Sequence, residues 1–448
     1  MKLGLDLEKL AAASGGKLLA GDPRAPFGRF ITDSRALGAG DYFWALAGEK
    51  HDAHDFLADT LKASPAGWIC REDRLPAGPR PPAVVAVTDT LRALQSLAAF
   101  HRRRFSPATA AVTGSNGKST VKEMLFSILS QAGPACSNKG NLNNQFGLPL
   151  SLLELSAEHR YAVFELGASR RGDIAEIAPL ALPSVGVITN IGPSHLEKFG
   201  DLETVFLTKT EIADSLAPGG TLVWNADDGM LRRLYGRPGR VTFGRSAGAD
   251  YKVVEKGGSF AIAEKDGEFP VSLPQDCPHN RMNAAAAWAA ARALGLGPAL
   301  IREGLAAFKS PPMRMQRLEI RGSRVLLDAY NANPQSMAAA LEAAARAEGP
   351  RYLALGDMKE LGRYSEKYHR ELACGIAAAE PEKVFLAGPE MRAAADELSV
   401  RFPSINAVYA EDPSAWRDEF RALVSAGRGF FLVKASRSMR FENLIEGL

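Results

Sequence analysis

The stretch Thr113-Gly114-Ser115-Asn116-Gly117-Lys118-Ser119-Thr120 limits the fold of this chain more than any other. A short apolar run, Ala108 to Val112, leads into it, and a helical pattern through Met124, Leu125 and Ile128 follows. A strand, a glycine loop, and then a lysine and a hydroxyl at a helix start build a cradle for phosphates. Backbone N–H groups and the helix N-terminus supply positive potential, Lys118 adds a full charge, and the Ser119 hydroxyl is placed to hold Mg²⁺. The general pattern G-x-x-x-x-G-K would put its first glycine where Val112 stands. Gly114 leaves only Ser115 and Asn116 before the Gly-Lys pair, so a shorter variant of the loop is expected.

The 448 residues suffice for two or three domains. With 46% hydrophobic and 23% charged residues, large cores are available. A net charge of +3 is too small to argue for nucleic acid or an anionic membrane as the main partner. The basic run Arg102-Arg103-Arg104 ends a helical pattern and reads as a solvated helix end. The four cysteines, Cys70, Cys136, Cys277 and Cys374, form no CxxC pair. That argues against a zinc knuckle or a disulfide scaffold and suits a reducing cytoplasm. No apolar run is long enough to span a bilayer, and Met1 to Ala13 reads as a short strand and helix rather than a signal peptide.

Three zones are expected in an α/β chain: residues 1–86, 87–311 and 312–448. The first mixes strand-like runs (Asp41 to Ala47, Gly67 to Cys70, Ala83 to Val87) with short helices. The second alternates the strand-like runs Tyr161 to Leu166, Val185 to Ile191 and Thr221 to Trp224 with helices, which predicts a mostly parallel sheet covered on both faces. Between Val241 and Pro274 the pattern predicts a small antiparallel insertion, and Asn283 to Leu294 an alanine-rich helix. Past Pro311-Pro312, runs such as Val325-Leu326-Leu327 and Phe430-Phe431-Leu432-Val433 alternate with helices and predict a Rossmann-like sheet.

In parallel sheets ligands collect at the carboxyl ends of strands. Glu165 stands there after Tyr161-Ala162-Val163-Phe164, suited equally to Mg²⁺ and to a helix cap. His195 follows a Gly-Pro loop after a buried strand, as a metal ligand or a hydrogen-bonded loop histidine. Asp328, in Asp328-Ala329-Tyr330-Asn331-Ala332-Asn333-Pro334, fits either ribose hydroxyls or a turn. Arg314 is either a cation reaching a nucleotide phosphate at a domain junction or an ordinary surface arginine.

These stretches occur in order with Asn141-Leu142-Asn143-Asn144-Gln145-Phe146-Gly147-Leu148-Pro149, Glu165-Leu166-Gly167-Ala168, Ile188-Thr189-Asn190-Ile191-Gly192-Pro193-Ser194-His195, His279-Asn280 with Asn283, and Arg314-Met315-Gln316. The chain thereby resembles, over essentially its whole length, the Mur ligase family of ATP-dependent amide-bond-forming enzymes of cell-wall synthesis. Tyr330-Asn331-Ala332-Asn333-Pro334, Gly356-Asp357-Met358-Lys359-Glu360-Leu361-Gly362 and Lys434-Ala435-Ser436-Arg437-Ser438 are most similar to the branch that joins D-alanyl-D-alanine to UDP-N-acetylmuramoyl-tripeptide. The Asp-Asn-Pro-Arg motif of the diaminopimelate- or lysine-adding branch is absent.

The resemblance implies a UDP-binding first domain, a central P-loop domain and a Rossmann-like third. It implies ATP phosphates on Thr113 to Thr120, led by Lys118, and Mg²⁺ on Ser119 and Glu165. A second Mg²⁺ falls to His195 beside the substrate carboxylate. Lys209 matches a lysine that family members carbamylate, which turns a cation into a carboxylate able to help hold the metals; a plain surface lysine is the other reading. Asn283 is expected near adenine, Arg314 at the γ-phosphate and Asp328 at the ribose. Ser34, Arg35, Asn143, Asn144, Asn331, Asn333, Ser436 and Arg437 are expected near the UDP-sugar peptide or the dipeptide. Ala53 stands where the family usually has glycine, which puts the local turn near the uridine in question. A soluble cytoplasmic monomer is expected, with neither nucleic acid nor membrane as partner. Three rivals compete: another family member adding a different amino acid or acting on folate, a P-loop switch, and a scaffold that has lost catalysis. The Asn-Lys-x-Asp motif of a GTPase switch is missing.

Overall fold

The computed structural model describes residues 3–48, 51–237 and 239–448; Met1 and Lys2 of the expected N-terminal strand lie outside them. The chain forms three sheets in sequence order. The first runs Lys17–Ala20, Ala83–Val87, Gly67–Arg71, Tyr42–Trp44, Phe30–Ile31, parallel except for its first pair. The helix Thr90–Arg102 leaves it, capped by the Asp89 carboxylate, which accepts from Leu91 N and Arg92 N.

The central sheet has nine strands. The phosphate-loop strand Ala108–Thr113 sits between Tyr161–Glu165 and Val185–Ile188, all parallel. Alternation along these strands divides the core into two faces. Ala111, Phe164, Ile188 and Trp224 face Leu94, Leu97, Ile174 and Ile177. Ala110, Val112, Val163, Val187 and Val223 face the helices Lys118–Ala132 and Pro278–Ala293. In the second of these helices Ala284 to Ala291 are all buried around Trp288; their small side chains let helix and sheet approach closely.

The stretch expected as an antiparallel insertion instead extends the same sheet. Arg240–Gly244 and Tyr251–Lys256 add in parallel, and only Ser259–Glu264 and Gly267–Val271 close as antiparallel hairpins at the edge. The turn signals are the same for both arrangements; pairing of Phe243 with Tyr251 decides between them. The third sheet runs Gln316–Ile320, Ser323–Leu327, Phe430–Lys434, Arg351–Gly356, Lys383–Ala387, Ala407–Ala410, parallel beyond its first pair.

Arg102 is not a solvated helix end. Its guanidinium is buried and donates to Ala181 O, Phe105 O and Thr109 Oγ1, so each of its three nitrogens meets an oxygen acceptor. Burial holds its pKa below the ordinary arginine value.

Candidate active site

The carboxyl ends of the central strands and of Ser323–Leu327 open onto one cavity of about 1510 Å³. Gly48 and His51 reach it from the first sheet, the phosphate loop from the second, and Arg314, Asp328 and Asn333 from the chain beyond residue 311.

The loop itself is built on two glycines. Gly114 has φ +144°, and a Cβ there would lie 1.9 Å from Thr189 Oγ1. Gly117 has φ +79°, and a Cβ there would meet Asn283 Oδ1 at 2.5 Å. Gly117 starts the helix Lys118–Ala132 without any side-chain cap, which leaves the N-terminal N–H groups facing the cavity. Lys118 Nζ donates to Gly114 O at 2.8 Å and Ser115 O at 3.1 Å, folding its ammonium over the loop. Desolvation lowers its pKa, with Arg314 acting in the same direction against the pull of Glu165. This is a cradle rich in donors, the chemistry that fits a polyphosphate.

Glu165 is buried at the end of its strand. Its Oε2 accepts from Ser119 Oγ at 2.5 Å and its Oε1 from Asn143 Nδ2 at 2.8 Å. Hydroxyl and carboxylate thus meet beside the loop as hard oxygen donors. Among the described residues no three His, Cys, Asp or Glu side chains converge as a ready-made metal cage. His195 has φ +52° and places Nδ1 2.7 Å from Glu360 Oε2, whose own backbone has φ +63°. The His195 imidazole holds the Glu360 carboxyl below the usual carboxylate range.

Lys209 is 1% exposed, which removes the reading as a plain surface lysine. Its ammonium lies 5.7 Å above the Phe199 ring. Burial, and then the nearby Lys118, push its pKa down to about 7. Arg314 stacks at 3.9 Å on the Tyr330 ring, between Met313 and Met315, which both have positive φ. Those two strained residues are held by Met313 N donating to Gln316 Oε1 and Met315 N donating to Asp328 Oδ1. The other Asp328 oxygen pairs with the fully buried Lys434, which also donates to Asn331 O at 3.1 Å.

Residues 112–291 match the Mur ligase middle domain, and residues 313–437 match the family model described as Mur ligase, glutamate ligase domain. The UDP-N-acetylmuramoyl-tripeptide–D-alanyl-D-alanine ligase of Escherichia coli (strain K12) is 35% identical over 429 residues, covering 93% of this chain and 92% of the relative. The chain belongs to the Mur ligase family. A crystal structure of MurF from Acinetobacter baumannii superposes with a TM-score of 0.90 at 31% identity, over 98% of each chain. MurF ligase from Thermotoga maritima in complex with ADP gives 0.82 at 30% identity, over 94% of this chain and 96% of that one.

In this Mur ligase the cavity gathers Ser115 to Thr120, Glu165, His195, Asn143, Asn144, Asn283, Arg314, Asp328, Asn331 and Asn333. Thr113 and Gly114 form the loop's base rather than its lining; Thr113 Oγ1 donates to Leu166 O at 3.0 Å. Lys209 lies buried behind the lining. Ser34, Arg35, Ser436 and Arg437 are not among the lining residues. Arg35 is exposed and paired with Asp33; Arg437 pairs with Glu442; Ser436 Oγ accepts from Lys359 N. Ala53 adopts no positive φ and begins a short 3-10 turn capped by Asp52, so the turn there needs no glycine. Sequence reasoning missed Gln335, Glu360 and Lys434 as site residues. Glu360 and Lys434 sit inside motifs it had singled out, and Gln335 follows Asn333-Pro334 directly.

Proposed function

We propose that this Mur ligase joins D-alanyl-D-alanine to the terminal carboxylate of UDP-N-acetylmuramoyl-tripeptide in cytoplasmic peptidoglycan-precursor synthesis, and that it acts as a monomer with ATP and Mg²⁺. The names of the relatives support this substrate pair. The observation that carries it is one cavity fed by all three sheets, with the phosphate loop in the middle. We take residues 1–86, 87–311 and 312–448 as the three domains.

In this reading a carboxylate oxygen of the tripeptide attacks the γ-phosphorus of ATP, and the bond to the bridging oxygen of ADP breaks. The amine of D-alanyl-D-alanine then attacks the acyl carbon, the tetrahedral intermediate expels phosphate, and the amine's proton leaves to solvent. The phosphate-loop N–H groups and Lys118 bind the triphosphate, and Arg314 approaches the γ-phosphate. Asn283 lies beside the nucleotide and Asp328, clamped by Lys434, faces the ribose. Ser119 and Glu165 would hold Mg²⁺, with His195 and a carbamylated Lys209 serving a second ion; bound there, Mg²⁺ offsets the repulsion between triphosphate and carboxylate. No protein nucleophile is needed. Asn143, Asn144, Asn331 and Asn333 are positioned for the peptide ends. Ser34, Arg35, Ser436 and Arg437 lie outside the cavity lining, and no direct substrate contact is assigned to them in this reading.

The test is a ligation panel: UDP-muramoyl-dipeptide and -tripeptide acceptors, each against D-alanyl-D-alanine, glutamate, lysine and diaminopimelate, with ATP. Product from the tripeptide and D-alanyl-D-alanine alone supports the reading. No product from that pair overturns it.

A further inference from the structure

The phosphate loop is gripped from the third domain through one side chain. Asn116 Oδ1 accepts from Asn333 Nδ2 at 2.7 Å, and Asn116 Nδ2 donates to Gln335 Oε1 at 2.8 Å. The peg is fixed at its base. Asn116 N donates to Asn190 Oδ1 at 2.9 Å, and Asn116 O accepts from Asn190 Nδ2 at 3.1 Å and Thr189 Oγ1 at 2.5 Å. The grip is fixed too: Asn333 caps the helix Pro334–Ala345, accepting from Ser336 N, and Gln335 lies in that helix's first turn. Gln335 Nε2 also donates to Ile191 O at 3.3 Å, so one carboxamide spans two central-domain loops.

The floor under that carboxamide is Gly192. A Cβ built there would lie 1.9 Å from Gln335 Oε1, 2.2 Å from Cδ and 2.5 Å from Nε2. Its three nearest neighbours are thus all atoms of one side chain of the other domain. Gly192 has no positive φ, so alanine meets no left-handed strain there.

We propose that Gln335 is a positioning residue that locks the third domain onto the phosphate loop, with Gly192 as its seat. Resting on the ligase reading above, this sets the third domain in register with the γ-phosphate and the acyl carbon. Truncating Gln335 removes two hydrogen bonds near solvent, which shifts the open-to-closed ratio by roughly 3- to 30-fold. A methyl group at Gly192 pushes the same carboxamide off its seat.

The experiment labels the exposed Cys374 of the third domain and an Ala157→Cys substitution on the exposed surface of the central domain, and reads single-molecule energy transfer in the full chain. Gln335→Ala raises the open-to-closed ratio roughly 3- to 30-fold. Gly192→Ala raises it at least as far. The double variant Gly192→Ala/Gln335→Ala returns to the ratio of Gln335→Ala alone, because the added methyl then meets nothing. In kinetics Gln335→Ala lowers kcat for ligation by a similar factor, while the urea midpoint of unfolding stays unchanged. An unchanged ratio in Gln335→Ala overturns the proposal, as does a double variant more open than Gln335→Ala. The ratio is read without substrates, so the grip is tested whatever the ligation panel returns. A ratio that moves as stated while D-alanyl-D-alanine is not ligated overturns the ligase reading and leaves the grip standing.

Discussion

Replacing Lys209 by methionine separates a stability cost from a chemical role. The ammonium is 1% exposed, and burial with Lys118 nearby brings its pKa from 10.5 to about 7. Because the folded value is depressed, the unfolded chain binds the extra proton between about pH 7 and 10.5. Stability therefore rises with pH through that window. The gap corresponds to roughly 4–5 kcal/mol forgone below pH 7, of which about 3 kcal/mol returns between pH 7 and 9.5. Methionine has similar length, carries no charge and titrates nowhere. In carbon-dioxide-free buffer, urea denaturation of Lys209→Met is expected to show higher stability than the parent at pH 7, by up to about 4 kcal/mol. The advantage shrinks by about 3 kcal/mol at pH 9.5. Every other titrating group is common to both proteins, so the difference between the two curves reports Lys209 together with its coupling to Lys118. The ligase activity of the variant falls to background. Parallel stability curves would refute the reasoning, because they would mean the ammonium is solvated or paired in the fold. In the parent, the same depressed pKa makes the neutral amine available near pH 7, so a ¹³C carbamate signal from labelled bicarbonate is expected to fade below that pH.

Glu165→Gln keeps the shape but turns one acceptor into a donor facing Ser119 or Asn143; kcat is expected to fall roughly 10²–10³-fold, with a steeper Mg²⁺ requirement in a phosphate-release assay. Gly117→Ala sets a methyl 2.5 Å from Asn283 Oδ1 at φ +79°, and calorimetry is expected to show ADP affinity roughly 5- to 30-fold weaker from left-handed strain of roughly 1–2 kcal/mol. Lys434→Met strands the Asp328 carboxylate and is expected to destabilise the third domain by about 3–5 kcal/mol in scanning calorimetry; adding Asp328→Asn is expected to recover much of that loss, and no recovery would refute the pairing.

What was legible in the sequence was local. The phosphate loop declares itself in eight adjacent residues whose geometry follows from two glycines and a helix start. Glu165 and His195 were found because they directly follow buried strands or their loops, where parallel sheets gather ligands. Contacts across the chain were not legible. Gln335 meets Asn116 at a separation of 219 residues, and Lys434 meets Asp328 at 106. A glutamine after Asn-Pro has no pattern that marks it, since its partner is set by how two domains seat. Arg102 misled for the same reason: a basic run at a helix end looks solvated until Ala181 O and Thr109 Oγ1 are brought to it by the central sheet. The hairpin edge beyond Arg240 misled because glycine punctuation signals turns but not which strand the chain rejoins.

The central claim is that a carboxylate is phosphorylated before an amine attacks it. Oxygen-18 in the terminal carboxylate of UDP-N-acetylmuramoyl-tripeptide tests it directly, with mass analysis of the phosphate released as D-alanyl-D-alanine is ligated. An acyl phosphate carries one labelled oxygen from the carboxylate into phosphate at every turnover. Phosphate free of label, formed in step with the amide product, would contradict the account.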